Sequence, residues 1–168
     1  VAVTLERTVA KIAVQASTTA EFSERYSGKV RINSAVLSKA ASRSNLIAQQ
    51  TPNTGPMTFT HTQAADELSG KFRNLFYVPE NGELAEGSRL LLTLGATYDR
   101  DGNFSTTDDQ AEVTYPVELS GDGAGRFLRN GYYRVQALID GLTGSELSVS
   151  ISVADWETPV TQSVNLGQ

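Results

Sequence analysis

The residues able to act as acids, bases, nucleophiles or ligands are few and scattered along this chain. Hydrolysis by a serine or threonine needs a base within hydrogen-bond reach, yet the chain has one histidine, His61, and no Gly-x-Ser-x-Gly elbow. The expected place for His61 is a strand. With no cysteine there is no disulfide, thiolate metal site or cysteine nucleophile, and the redox compartment cannot be read from cysteine usage. Glu80, Glu83 and Glu86 share one stretch and offer the carboxylates of a glycosidase, but such pairs are defined by separation in space. A solvated loop is the plainer expectation. Asp99, Asp101 and Asn103, with Ser105, Asp108 and Asp109 behind them, have the oxygen-rich character of a calcium loop. The spacing departs from an EF-hand: Gly102 stands at the fourth position and Gln110 stands where a bidentate glutamate belongs. An Asp-Gly turn is expected there, and no metal is assigned. The glycine run 121–125 resembles a phosphate cradle, but no helix follows it and Asp122 repels an anion, so it is read as a mobile loop. Trp156, the single tryptophan, is either a sugar-stacking platform or, in the preferred reading, an amphipathic plug of the core.

Those residues must be held by a chain of 168 residues and 18.1 kDa, expected to form one domain that buries roughly 70% of its unfolded surface. Nineteen acids against fourteen bases give a net charge of −5, and the bases are singly placed, which argues against nucleic acid and anionic membranes as partners. No apolar run approaches the roughly 20 residues that span a bilayer. No charged segment followed by an apolar one opens the chain, so Val1 is expected to be a processed or trimmed start.

Period-two alternation dominates the sequence and predicts strands with one face buried. Val113, Tyr115, Val117 and Leu119 share a face, as do Tyr133, Val135, Ala137 and Ile139. Leu147, Val149, Ile151 and Val153 alternate with Ser148, Ser150 and Ser152, which face away. Leu90, Leu92, Leu94, Ala96 and Tyr98 mark a strand made central by the extra apolar Leu91, whereas Pro116 assigns its strand to an edge or a bulge. The turn residues 140–145 predict an antiparallel hairpin between the last two strands. Further strands are expected over 29–37, 57–61 and 71–78, and a short helix over 38–50, ahead of Pro52. The opening segment switches its apolar face near Val9, from Val1, Val3 and Leu5 to Ala10, Ile12 and Val14, which requires a bulge or a passage between sheets or domains. About seven or eight short strands with turn signals between them mean an all-β antiparallel sandwich or barrel.

Several segments, in order and spread over nearly the whole chain, resemble the Bacteroidetes fimbrillin family, the pilins of FimA and Mfa type. Arg7-Thr8-Val9-Ala10-Lys11 is similar to the family's Arg-x-Val-Ala-Lys strand, and Tyr77-Val78-Pro79-Glu80-Asn81 to its Tyr-x-x-Glu-Asn turn. Tyr115-Pro116-Val117, Arg129-Asn130-Gly131-Tyr132-Tyr133 and the strand ending at Asp155-Trp156 complete the match. The resemblance implies a transthyretin-like, Greek-key β-sandwich. It also implies that residues 1–168 are the carboxy-terminal domain of a two-domain pilin, with 1–14 as the lead-in strand from a first domain absent here.

The function so implied is assembly, not catalysis, with no cofactor. In the family, lipoprotein precursors lose a masking strand, and subunits then polymerise by strand exchange into fimbriae on the outer membrane surface. Beyond Pro159, Val160, Gln162, Val164 and Leu166 form one face of a candidate donor strand within 157–168, with Thr161, Ser163 and Asn165 on the other. The partners expected are other pilin subunits, with a host protein or glycan as a further ligand class. The competing reading is a carbohydrate-binding β-sandwich module of a surface protein, which would leave Trp156 exposed on a concave face.

Overall fold

The computed structural model describes residues 6–52, 54–68 and 71–154. Among them the chain forms β1 (Val9–Thr18), α1 (Ala20–Arg25), β2 (Lys29–Ala40), β3 (Phe59–Ala64), β4 (Asp66–Leu68), β5 (Lys71–Pro79), β6 (Leu91–Asp99), β7 (Gln110–Glu118), β8 (Tyr132–Ile139) and β9 (Leu147–Ala154). A five-stranded sheet of order β4-β5-β1-β8-β9 faces a four-stranded sheet of order β3-β2-β6-β7. The molecule is thus an all-β sandwich; the strand expected over 57–61 is β3, which runs a few residues later, and the three-residue β4 is the addition to the strands expected.

Alternation decides which side chains meet between the sheets. Ala10, Ile12, Val14 and Ala16 of β1, Phe76 and Val78 of β5, and Tyr133, Val135, Ala137 and Ile139 of β8 are buried against Ile32, Leu37, Leu92, Leu94 and Tyr115 of the other sheet. Fully burying each of the valine, leucine, isoleucine and phenylalanine side chains among them is worth about 1.5–3 kcal/mol. As expected, β6 lies inside its sheet, β7 with Pro116 lies at an edge, and β8 and β9 form an antiparallel hairpin. The even-numbered face of β1 is buried, whereas the odd face expected for residues 1–5 lies outside the described residues.

Three features differ from expectation. β1 runs parallel to β8, the one parallel pair among the described residues, because the chain returns to β1 only after building β2 to β7. The helix expected over 38–50 does not form: residues 38–40 complete β2, Ala40 and Ala41 are buried, and Leu46 and Ile47 stand 88% and 81% exposed. The helix that does form, α1, is only six residues long; the Thr19 hydroxyl caps it by accepting from Phe22 N at 3.2 Å, and Phe22 plugs the core.

Polar bridges close both open sides of the sandwich. On one side, the buried Asn74 Nδ2 of β5 donates to the Ala64 carbonyl at 2.9 Å and to Gln63 Oε1 at 3.1 Å on β3. On the other, the fully buried Tyr115 hydroxyl of β7 donates to the Gly141 carbonyl in the β8–β9 turn at 2.8 Å. Burial raises the Tyr115 phenol to about 12, so it remains a donor across the physiological range. These bonds tie the edge strands β3 and β7 of the four-stranded sheet to the five-stranded sheet facing them.

Candidate functional site

Three of the segments that carry the family resemblance, at 7–11, 77–81 and 129–133, are distant in sequence and meet at one end of the sandwich. Glu80 and Asn81 leave β5, while Arg129 and Asn130 precede β8. Arg129 Nε donates to Glu80 Oε1 at 2.8 Å, a second guanidinium nitrogen binds the same carboxylate, and the two side chains are 8% and 9% exposed. The remaining donors of Arg129 reach the Ser44 hydroxyl at 3.2 Å and the carbonyls of Asn45 at 2.7 Å and Leu46 at 3.3 Å. One arginine therefore fixes the segment between β2 and β3 to the end of the sandwich. Asn81, fully buried, pairs its backbone N–H with the Phe127 carbonyl at 3.0 Å, and its side chain donates to the Gly125 carbonyl at 2.7 Å.

Local sequence shapes the Arg129 turn. Asn130 takes φ of 59°, a left-handed conformation that asparagine tolerates better than most residues. At Gly131 a Cβ would lie 2.7 Å from the Tyr133 ring and 2.8 Å from the Leu128 carbonyl, so the close approach demands glycine. The turn is stitched to the start of β1 by Asn130 N to Val9 O and Lys11 N to Gly131 O, both 2.9 Å. Arg7 donates to Asn130 Oδ1 at 3.3 Å. Arg7, Glu80, Asn81, Arg129 and Asn130 thus converge, while Ala10 lies in the core and Lys11 on the outer face of β1 above the Tyr132 ring. Trp156 and the strand Val160, Gln162, Val164 and Leu166 lie outside the described residues.

Glu80 corrects the solvated-loop expectation. It is buried because Arg129, far along the chain, neutralises it, whereas Glu83 and Glu86 are exposed. Burial pushes the Glu80 carboxyl up, but the hydrogen bonds and charge of Arg129, with Ser44, outweigh this and hold it below its usual range. A glycosidase acid needs the opposite shift, so this carboxylate is a clasp for Arg129 and not a proton donor.

The other singled-out groups are likewise engaged by their surroundings. His61 on β3 packs against the rings of Phe59 and Phe76, at centroid distances of 4.7 and 6.3 Å. Its Nε2 is buried without a hydrogen-bond partner, and burial lowers its affinity for a proton. In the Asp99 loop, Asn103 N is held by Asp101 Oδ1 at 2.7 Å and Asp99 Oδ1 at 2.9 Å, which makes the expected Asp-Gly turn, with Gly102 at φ of 75°. Asp99, Asp101 and Asp109, three of the residues that gave the loop its oxygen-rich character in the sequence, bring carboxylate oxygens within 4.8 Å of one another. Desolvation pushes Asp99 up, but the Gln110 amide and neighbouring donors hold it down; in Asp101 the Asn103 N–H bond lowers the carboxyl, but Asp99, burial and the charge of Asp109 outweigh it and leave Asp101 raised. The glycine run 121–125 is organised, not loose: Asp122 accepts from Ala124 N at 3.1 Å and Arg126 Nε at 2.7 Å, filling with its own carboxylate the place an anion would take.

No family model and no curated protein matches the chain. Solved structures do. A fimbrilin of Porphyromonas gingivalis superposes with a TM-score of 0.58 at 18% identity, over 94% of this chain and 60% of that one. The fold is that of the fimbrilins. A candidate cell adhesion protein of Parabacteroides distasonis gives a TM-score of 0.63 at 14% identity, over 94% and 54% of the two chains. The tip fimbrial protein Mfa3 of P. gingivalis gives 0.50 at 16% identity, over 90% and 52%. This chain therefore spans between half and three-fifths of each of these three proteins, and the fimbrilin fold is shared across nearly all of its own length.

Proposed function

We propose that this chain is the carboxy-terminal domain of a fimbrial subunit, a structural component of surface filaments and not an enzyme. The observation that carries this reading is the fimbrilin fold over 94% of the chain. The residues agree with it: the Glu80–Arg129 clasp consumes the best-placed acid, and His61 sits between aromatic rings. Lead-in residues 1–14 descend from a first domain, and subunits reach the outer membrane surface as lipoprotein precursors.

Subunits join by strand addition, with Val160, Gln162, Val164 and Leu166 as the buried face of the donor. That segment follows β9, an edge strand of its sheet among the described residues. An added strand gains affinity from backbone hydrogen bonds and register from alternate side chains in pockets. The test is to express full-length subunits lacking residues 159–168, or carrying Val164→Asp or Ser163→Asp, and to count filaments by electron microscopy. Deletion and Val164→Asp should abolish filaments while the subunit stays folded, since an unpaired charge in an apolar groove costs several kcal/mol. Ser163→Asp, on the polar face, should matter much less. Normal filaments from the deletion would overturn the donor-strand proposal.

A further inference from the structure

We propose that the outer face of the five-stranded sheet is a binding site for an acidic sugar, one carrying a ring carboxylate. This goes beyond filament assembly and does not depend on it. The ladders place outward-facing side chains in rows: Arg73 beside Gln15, Gln15 beside Gln136, Gln136 beside Ser150; and, one row along, Ala13 beside Arg134 and Arg134 beside Ser152. Between these rows lies a shallow hollow of about 350 Å³, inside the range of about 300–1,000 Å³ found for small-ligand sites. Ala13 makes the hollow, because its methyl leaves the centre of the face low while longer side chains stand around it.

The charge on this face is opposite to that of the molecule. Although the chain carries −5, Lys11, Lys71, Arg73 and Arg134 share this side of the sheet, and the acid among its described side chains is Asp66 of β4, the ladder partner of Arg73. Arg73 and Arg134 lie two strands apart, about 10 Å across the ladder. Neither has a carboxylate within ion-pairing distance among the described residues, in contrast to Arg25, Arg89, Arg126 and Arg129. Arg134 is steadied by the Tyr132 ring, 5.2 Å from its guanidinium carbon, so it is positioned before any ligand arrives. Arginine presents a planar fork that matches a carboxylate, and the amides and hydroxyls of Gln15, Gln136, Ser150 and Ser152 offer both donors and acceptors to ring hydroxyls.

The same inventory argues against other occupants. A protein interface has a broad apolar, often aromatic centre, whereas here the apolar floor at Ala13 is ringed by Gln15, Arg73, Arg134, Gln136, Ser150 and Ser152, with the Tyr132 ring at its rim and Leu75 and Leu138 half-buried beside it. A nucleic acid needs many phosphate contacts, and the net charge opposes it.

The test is calorimetric titration of the full chain at low salt with a glucuronate-containing tetrasaccharide and with its carboxyl-reduced, neutral counterpart. The acidic sugar should bind, and the neutral one at least about tenfold more weakly. Arg134→Ser and Arg73→Ser should each weaken binding about ten- to hundredfold, the loss expected for one charge-assisted contact. Ala13→Leu keeps every charge and fills the hollow, so it should also abolish binding; thermal unfolding of each variant checks that the fold is kept. Four outcomes would overturn the proposal: no binding; equal binding of the two sugars; Ala13→Leu binding that persists and follows ionic strength alone; or a dimer that Arg134→Ser dissolves, which would assign the face to a second copy.

Discussion

Two arginine–carboxylate pairs stand at opposite ends of β8. At its start, Arg129 and Glu80 are 8% and 9% exposed, and the arginine spends its other donors on the segment at 44–46. Beyond its end, Arg25 of α1 meets Glu146 of the β8–β9 turn at 2.7 Å, with side chains 49% and 26% exposed. The contact chemistry is the same, but the consequences of breaking it differ. A solvated pair loses a weak, screened attraction and gains back side-chain entropy and hydration. A buried pair that loses one member leaves a charge where water cannot reach it. The clasp at Arg129 is therefore a point of structural failure, whereas the contact at Arg25 is an adjustment.

The largest expected effect comes from leaving Glu80 alone. Arg129→Met keeps most of the aliphatic volume but strands the carboxylate and releases the carbonyls of Asn45 and Leu46. Urea unfolding at neutral pH should show a loss of about 3–5 kcal/mol. The double variant Arg129→Met/Glu80→Leu should recover much of that loss, because an apolar pair of similar size needs no compensation. Were the double variant as unstable as the single one, the cost would lie in the freed 44–46 segment and not in the buried charge.

A smaller effect separates the two ends by titration. In the folded protein Glu80 is held below its ordinary value despite burial, so its contribution is fully present above the unfolded-state carboxyl pKa and is lost as pH falls through the folded-state value. The stability gap between the wild type and Glu80→Gln should be constant from pH 7 to about pH 5 and should close below about pH 4. A gap that did not narrow at all as pH fell through the carboxylate range would mean that the Glu80 charge plays no part. Glu146 is also held down, first by its hydrogen bond from Arg25, yet Glu146→Gln should give a nearly flat difference curve because water screens that site.

The two ends also differ in how readily a sequence announces them. Alternation in β6 to β9 is local, so the buried faces of Leu92, Tyr115 and Val135 could be read directly, as could the edge position of Pro116. Alternation is blind to partner direction, which is why the parallel β1–β8 pairing was not expected. Ala40, Ala41, Leu46 and Ile47 look helical by composition, but β2 extends into the first two, and a guanidinium holds the backbone at Asn45 and Leu46 in an irregular path. Glu80 reads as a loop acid because what buries it lies 49 residues away. The short helix α1 did leave a local trace: a capping threonine at 19 with Glu21 in the first turn. On the outer sheet face, the residues 13, 73 and 134 come from three strands whose adjacency no single segment records.

The smallest expected effect is the one that isolates screening as the cause of the contrast. Arg25→Ala removes the contact with Glu146, a bond to the Asp140 carbonyl at 3.1 Å and the stacking of the guanidinium over the Tyr26 ring at 5.1 Å. Phe22, which anchors α1 in the core, and the Tyr115 bond to Gly141, which anchors the turn, are untouched. The unfolding midpoint should fall slightly at low salt. In roughly 1 M salt, where the Debye length is about 3 Å, the difference from the wild type should vanish. The deficit of Arg129→Met should persist there, since ions do not enter a site from which water is excluded. If salt erased both deficits equally, the Glu80–Arg129 pair would be hydrated in solution. If it erased neither, the worth of Arg25 would lie in its packing on Tyr26 and not in its charge.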